Sequence, residues 1–140
     1  MYDITIIGAG VAGTYIAREL ARYNLNILLL DKENDVANET TMANSAIIHA
    51  GYDAKAGYKK GDFNSPGNKM FDKVCEELDV PFKRVGSLVI GFNEDDKKTI
   101  QGLYDNGVKC DVPDMKILDR DEVHAMEKNL SEEVCCALYA

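Results

Sequence analysis

The sequence predicts an α/β fold that opens with a strand, a helix and a second strand. Three observations carry this prediction: a β-branched run at Ile4–Ile7, a glycine-rich turn at residues 8–13, and an aliphatic run at Ile27–Leu30. Between the two runs, apolar residues recur at four-residue steps from Val11, as on one face of a helix. A strand, a helix and a strand in about thirty residues form a βαβ unit, whose strands are parallel in nearly all cases.

Local signals set the expected limits of these first elements. The run at Ile4–Ile7 is typical of a strand buried on both faces. The helix is expected to close near Tyr23 and Asn24, because asparagine tolerates the left-handed conformation that ends many helices. The second strand is expected to end at Asp31.

Capping signals predict the next helices. After an extended connection at residues 34–57, Ser65 and Pro66 are typical of a helix start, as N-cap and first helical residue. A strand at residues 87–92 leads to a helix that Asn93 caps and that is expected to close at residues 106–107.

The last third of the sequence predicts a strand, a helix and a strand. Residues 116–118 form the first strand, and Asp119 with Glu122 form a capping box for a short helix. The final strand, at residues 135–139, has no strand after it in the sequence. We therefore expect its neighbour to lie in a longer protein, of which this chain is an N-terminal portion.

Composition excludes several classes of protein. The chain has 140 residues, enough for one domain, with 16 Lys and Arg against 24 Asp and Glu and a net charge of −8. This balance repels nucleic acid and anionic lipid, and no apolar run is long enough to span a bilayer. The four cysteines lack metal-site spacing, and no signal peptide precedes the first strand, so we expect no metal and a cytoplasmic location.

The strongest chemical signal is the sequence Gly8-Ala9-Gly10-Val11-Ala12-Gly13. In the G-x-G-x-x-G pattern the first glycine permits the tight turn, the second lets a pyrophosphate approach the backbone, and the third lets helix and strand pack closely. Asp31, at the end of the next strand, is placed to accept a hydrogen bond from a ribose hydroxyl. The pattern therefore predicts a dinucleotide site and leaves FAD and NAD as alternatives.

The residues after the second strand refine the expected ligand. The Asp31 carboxylate would repel the 2′-phosphate of NADP. Lys32 could offset that charge, and it is included among the candidate cofactor-binding residues, although an exposed lysine is commonly only solvated. His124 lies in an acidic helical segment and is expected to be a surface residue.

Seven segments of the chain together resemble a known family. They resemble FAD-dependent oxidoreductases of the D-amino-acid oxidase superfamily, in the branch with anaerobic-type glycerol-3-phosphate dehydrogenase and L-2-hydroxyglutarate oxidase. The most specific of them is Ala43-Asn44-Ser45-Ala46-Ile47-Ile48-His49-Ala50-Gly51-Tyr52. The others are residues 3–20, 30–33, 67–71, 80–89, 129–131 and 137–139.

The resemblance implies FAD as the cofactor. Thr41, Asn44 and Ser45 match the segment that runs along the pyrophosphate and under the flavin, and His49 matches a histidine near the isoalloxazine ring. Some relatives attach flavin through a histidine in this region, which makes a covalent bond to His49 one alternative. A non-covalent contact with the ring, or a purely structural histidine, is expected in preference to it. The implied fold is a Rossmann-like FAD-binding βαβ unit in residues 1–52. Residues 53–140 form a helix and the start of an α+β substrate or cap region, which is incomplete.

The resemblance also implies the chemistry of the intact protein. Hydride would pass from the carbon of a small hydroxy acid or polyol phosphate to the flavin while a basic group takes the hydroxyl proton. The reduced flavin would then give its electrons to an acceptor of unknown identity. No residue is assigned as the catalytic base. The alternatives are an NAD-dependent dehydrogenase and a non-catalytic, vestigial dinucleotide-binding fragment.

Five residues depart from the family pattern. Met42 replaces a usually basic residue, and Ala46 replaces a usual glycine beside the flavin segment. Pro66 interrupts a family helix, which should kink or restart there. Lys128 and Cys136 stand where proline and glycine are common.

Overall fold

The structure is a computed structural model that describes residues 1–140. The chain divides into two compact units, Met1–Ile47 and Ile48–Ala140. The predicted functional division, into residues 1–52 and 53–140, stays a prediction.

The first unit is the predicted βαβ arrangement. Strand β1 (Ile4–Ile7) leads into helix α1 (Val11–Leu20), and strand β2 (Ile27–Leu30) follows. The two strands are parallel, with Ile4 opposite Ile27 and Ile7 opposite Leu30. Residues 31–47 form turns with no further helix or strand. The predicted elements are thus confirmed, with differences in their ends and in their burial.

Two details of this unit were predicted wrongly. Helix α1 ends at Leu20, because Arg22 and Tyr23 bond to carbonyls three residues back and tighten the chain into a turn. Asn24 does not adopt the left-handed conformation. Strand β1 is buried on one face only: Ile6 is buried, whereas Ile7 is 87% exposed. A two-stranded sheet beside a single helix has only one face to cover.

The second unit contains three helices and a three-stranded sheet. Its elements are α2 (Lys59–Glu77), β3 (Leu88–Gly91), α3 (Glu94–Lys109), β4 (Lys116–Asp119), α4 (Arg120–Met126) and β5 (Cys136–Tyr139). The sheet is antiparallel, in the order β3-β5-β4. This confirms an α+β arrangement after the βαβ unit.

The last strand has neighbours on both sides, which corrects a prediction. Leu138 of β5 pairs with Val89 of β3 on one side and with Ile117 of β4 on the other. The expectation of a missing partner strand assumed that sequential strands are neighbours. Here the hydrophobic strand takes the central position, and both partners precede it in the chain.

Alternate residues of β5 enter two different cores. Ala137 packs with Leu118, Val123 and Val134. Its neighbours Cys136 and Leu138 pack with Ile100 of α3 on the other face. Ala137 and Leu138 are completely buried. The period of two along a strand thus makes β5 the element that both cores share.

Helix α2 begins earlier than predicted and passes through Pro66 without interruption. It starts at Lys59, and Ser65 is a fully buried helical residue rather than an N-cap. The Ser65 hydroxyl donates to the Asp111 carbonyl oxygen at 2.7 Å, so a tertiary contact uses the group that was expected to cap the helix. Pro66 removes one helical hydrogen bond at an exposed position, where water can satisfy the free carbonyl.

The caps of α3 and α4 are confirmed. The Asn93 side chain accepts from the amides of Asp95 and Asp96, and Asp119 and Glu122 form a reciprocal capping box. Helix α3 continues past the expected end at Gly107. A Cβ there would lie 2.5 Å from the Met115 side chain, so this glycine serves close packing and not helix termination.

His124 is not a free surface residue. It is half-buried on α4, and its Nε2 lies 3.2 Å from the Val134 carbonyl oxygen, to which the ring N–H donates. The carbonyl comes from the segment before β5, a contact that local sequence does not signal.

None of the helices has the length and apolar character needed to cross a membrane.

Replacing Leu138 with alanine is expected to destabilise the second unit by about 2–5 kcal/mol. The side chain is fully buried in the central strand, and its removal leaves a cavity. Chemical denaturation followed by far-UV circular dichroism measures this loss. Val108→Ala, at a 57% exposed position of α3, is the control and should change the free energy of unfolding by less than about 0.5 kcal/mol.

Candidate functional site

The candidate site lies at the turn between β1 and α1. Gly8 has a φ of +104°, a conformation that a side chain would strain. Its amide donates to the Leu30 carbonyl oxygen at 2.7 Å, which joins the turn to the end of β2. This backbone bond places the glycine turn beside the residues that follow the second strand.

Gly13 allows α1 to lie against the turn. A Cβ at this position would overlap the Gly8 carbonyl oxygen and would lie 3.4 Å from the Ile6 side chain. The third glycine of the motif therefore has the packing role that its pattern predicts. Helix α1 can lie against the Gly8 backbone only because residue 13 has no side chain.

Gly10 is the N-cap of α1 and has no side chain to bond the first-turn amides. The Val11 amide donates instead to the hydroxyl oxygen of Thr41 at 3.0 Å. A Cβ on Gly10 would lie 3.1 Å from the same oxygen. Thr41 thus lies against the start of the helix, where an anion would meet the amides of Ala12 and Gly13.

Asp31 joins the second strand to the glycine turn. One carboxylate oxygen accepts the Ala9 amide at 2.5 Å, and the other accepts the Glu33 amide at 2.9 Å. These two backbone bonds, first that from Ala9, lower the pKa of Asp31 below its usual range. Each oxygen retains a second lone pair, so the carboxylate can also accept a sugar hydroxyl.

Residues 37–41 form the other side of the site. The Ala37 amide donates to the Ala9 carbonyl oxygen at 3.0 Å, with Ala37 itself at a φ of +61°. A cavity of about 180 Å³ lies between this segment, Gly10 and Asp31. The structure thus brings Gly10 of the turn, Asp31 and Thr41 around one open space.

Lys32 is occupied by acidic neighbours. Its ammonium group forms an ion pair with Glu39 and lies 3.7 Å from Glu33. The Glu39 contact raises the pKa of Lys32 above its usual value. A lysine held by two carboxylates is a poor partner for an extra phosphate. This pairing agrees with the expectation that the site does not favour NADP.

Asn44 shapes a turn within its own segment. Its side-chain oxygen accepts the Ala46 amide at 2.7 Å, and its amide group donates to the Thr41 carbonyl oxygen. Ala46 has a φ of +53°, in the left-handed region. This conformation explains physically why glycine suits the position. Ser45 is exposed beside it.

His49 belongs to the second unit. Its side chain is exposed, and its main-chain carbonyl oxygen accepts a hydrogen bond from the Asn68 side chain at 3.0 Å. The sequence motif identified His49 but gave no sign of Asn68, which lies on α2.

The four cysteines are free thiols, and burial, reinforced by Cys135, raises the pKa of Cys136 to about 11. That thiol is a poor nucleophile.

The comparisons identify the class of protein. Residues 3–140 match the DAO family, described as FAD dependent oxidoreductase. The chain belongs to this family, and FAD is the family's cofactor.

Within this family, the chain is similar to dehydrogenases of two kinds. The chain is 58% identical over 140 residues to glycerol 3-phosphate dehydrogenase from Caloramator mitchellensis, covering all of this chain and 29% of the relative. It is 31% identical over 124 residues to mitochondrial L-2-hydroxyglutarate dehydrogenase from Dictyostelium discoideum, covering 87% of this chain and 28% of that one.

A solved structure matches the fold closely. Dithionite-reduced L-α-glycerophosphate oxidase from Mycoplasma pneumoniae with FAD bound superimposes with a TM-score of 0.89 at 27% identity. The match covers 99% of this chain and 37% of that chain. The chain therefore spans roughly a third of the length of the proteins that it matches.

Gly13→Ala is expected to destabilise the first unit by about 3 kcal/mol. The added methyl group would collide with the backbone at Gly8, which cannot move without breaking its bond to Leu30. Hydrogen exchange of the β1 and β2 amides measures the effect. Gly67→Ala, in open space on α2, is the matched control and should leave this exchange unchanged.

Asp31→Asn is expected to weaken the dependence of the protein's stability on pH in the acid range. The folded-state pKa lies below the unfolded value, so the contribution of Asp31 is present above about pH 3.9 and is lost as pH falls through the folded pKa. The difference in Tm between wild type and variant should therefore shrink as the pH falls below about 5. Asp53→Asn removes the same charge at another exposed position, and an identical profile for it would contradict the prediction.

Proposed function

We propose that this chain supplies the dinucleotide-binding part of an FAD-dependent oxidoreductase that acts on glycerol 3-phosphate. The observation that carries the proposal is the grouping of a glycine-rich helix start, the Asp31 carboxylate and the Thr41 hydroxyl around one cavity. Bare helix amides suit a pyrophosphate, and a carboxylate after the second strand suits a ribose.

The residues present fit the adenosine diphosphate portion of FAD. A side chain on Gly10 would enter the space beside Thr41, and one on Gly13 would overlap the backbone. The turn is thus kept open at the second glycine and closely packed at the third. This is the arrangement that a bound pyrophosphate requires.

Each residue has a proposed task in holding the cofactor. The backbone of Gly8, Ala9 and Gly10 lines the turn. Val11 begins the helix with its amide bonded to Thr41, and the amides of Ala12 and Gly13 face the phosphates. Asp31 accepts the ribose hydroxyl, and Thr41 borders the cavity. Lys32 supports this wall through its ion pair with Glu39, and Asn44 and Ser45 follow the pyrophosphate. His49 is assigned, by resemblance, to the isoalloxazine ring. A non-covalent contact is preferred there.

The substrate class rests on the relatives. The glycerol 3-phosphate dehydrogenase that shares 58% identity supports a polyol phosphate, and the 31% identical L-2-hydroxyglutarate dehydrogenase supports a hydroxy acid as second choice. When bound, the flavin would accept hydride from the substrate carbon. The electron acceptor is an unassigned further partner. The four free thiols support the cytoplasm as the compartment.

The test is cofactor content in the protein of full natural length. We expect a yellow protein that releases FAD on denaturation and whose flavin is bleached anaerobically by glycerol 3-phosphate. Gly10→Val should lower FAD content at least about tenfold, because the side chain blocks the approach of the pyrophosphate. Circular dichroism should stay unchanged. Gly102→Val, in open space on α3, is the control and should retain FAD.

Other outcomes would favour the alternatives. A colourless protein that binds NAD would contradict the proposal and support a nicotinamide-dependent dehydrogenase. FAD bound without bleaching by either substrate would support a non-catalytic dinucleotide-binding protein. Bleaching by L-2-hydroxyglutarate alone would change the substrate but not the reaction class.

A further inference from the structure

We propose that Asn68 is a positioning residue that holds the main chain at His49. The inference rests on the proposed function, because it assigns His49 to the flavin. The Asn68 side-chain amide donates to the His49 carbonyl oxygen at 3.0 Å, and this bond links α2 to the segment before it. Nothing in the glycine motif or in the histidine motif points to this contact.

Arg84 fixes the orientation of Asn68. One guanidinium nitrogen donates to the Asn68 side-chain oxygen at 2.8 Å, and another donates to its main-chain oxygen at 3.0 Å. With its oxygen held by a permanent donor, the Asn68 amide group must direct its nitrogen toward His49. The direction of the amide thus follows from the hydrogen-bond network.

Arg84 is itself held by two further contacts. Asp72 accepts from Nε at 2.9 Å and from Nη2 at 2.5 Å, a bidentate pair. The guanidinium carbon lies 5.2 Å from the centre of the Phe82 ring. The bonds from Arg84 hold the pKa of Asp72 below its usual range. Asn68 is therefore oriented by an arginine that Asp72 and Phe82 hold in place.

Helix α2 contacts the histidine segment at a second point, one turn away. Gly51 is buried with a φ of +116°, and a Cβ there would lie 3.2 Å from the Asn64 side-chain oxygen. Asn64, Asn68 and Asp72 lie four residues apart and so share one face of the helix. This face of α2 therefore bonds to His49 and lies close to Gly51.

The main-chain contact matters because the imidazole has no anchor of its own in this chain. Its exposed ring is placed by the His49 backbone, and the bond from Asn68 fixes the peptide plane that follows. Losing that bond lets the plane rotate and the ring move. A misplacement of about 1 Å near reacting groups can cost two orders of magnitude in rate.

Two variants of Asn68 separate positioning from general stability. Asn68→Asp keeps an acceptor for Arg84 but replaces the donor to His49 with an oxygen that repels its carbonyl. Asn68→Leu removes both contacts. Lys69→Met is the matched control. Lys69 lies next to Asn68 on α2, and its replacement breaks an ion pair with Asp111, which lies after α3. All are compared in the protein of full natural length, with wild-type FAD content measured first.

The expected result combines three measurements. The amide NMR chemical shift of Ala50, whose N–H shares a peptide plane with the His49 carbonyl, should change without substrate in both Asn68 variants and stay unchanged in Lys69→Met. The Kd for FAD should stay within about twofold. The kcat with glycerol 3-phosphate and a dye acceptor should fall at least about tenfold, while KM changes little.

Two results would overturn the inference. If Asn68→Asp retains the wild-type Ala50 chemical shift or wild-type kcat, Asn68 does not position His49. If Lys69→Met loses as much kcat as the Asn68 variants, the effect is one of general stability. Failure of the proposed function is recognised separately, as a wild-type protein that binds no FAD, and this result would remove the role assigned to His49.

Discussion

The close approach of Gly13 to the Gly8 carbonyl sets the distance between the first helix and the first strand. A methyl group at residue 13 would occupy the space of that oxygen. Because α1 lies so close, its first amides come next to the end of β2, where Asp31 reaches the Ala9 amide. The site exists because two pieces of backbone touch without side chains between them.

The same polar groups serve both the fold and the proposed cofactor. Asp31 bonds two amides of its own chain, and Thr41 bonds the first amide of α1. A pyrophosphate would meet a site whose walls are already tied together, so little ordering is needed on binding. Lys32 is part of this framework through its ion pair with Glu39, and it therefore adds no unpaired positive charge to the site.

Local chemistry could be predicted from the sequence, and distant contacts could not. The glycine turn, Asn93 and the Asp119 capping box each depend on neighbours within a few residues, and all appear as expected. Ser65 and His124 bond to carbonyls far along the chain, and β5 takes two partners that precede it. Residue 68 lies in a segment that resembles the family, but its bond to His49 could not be predicted because the partner lies nineteen positions away.

The order β3-β5-β4 has a consequence for biosynthesis. During translation, β3 and β4 leave the ribosome before the strand that joins them, so each must wait with its backbone unpaired. Non-local pairing of this kind is slow and leaves apolar edges open to wrong partners. Chaperone dependence and poor yield of prematurely terminated products would follow from the placement of one hydrophobic strand.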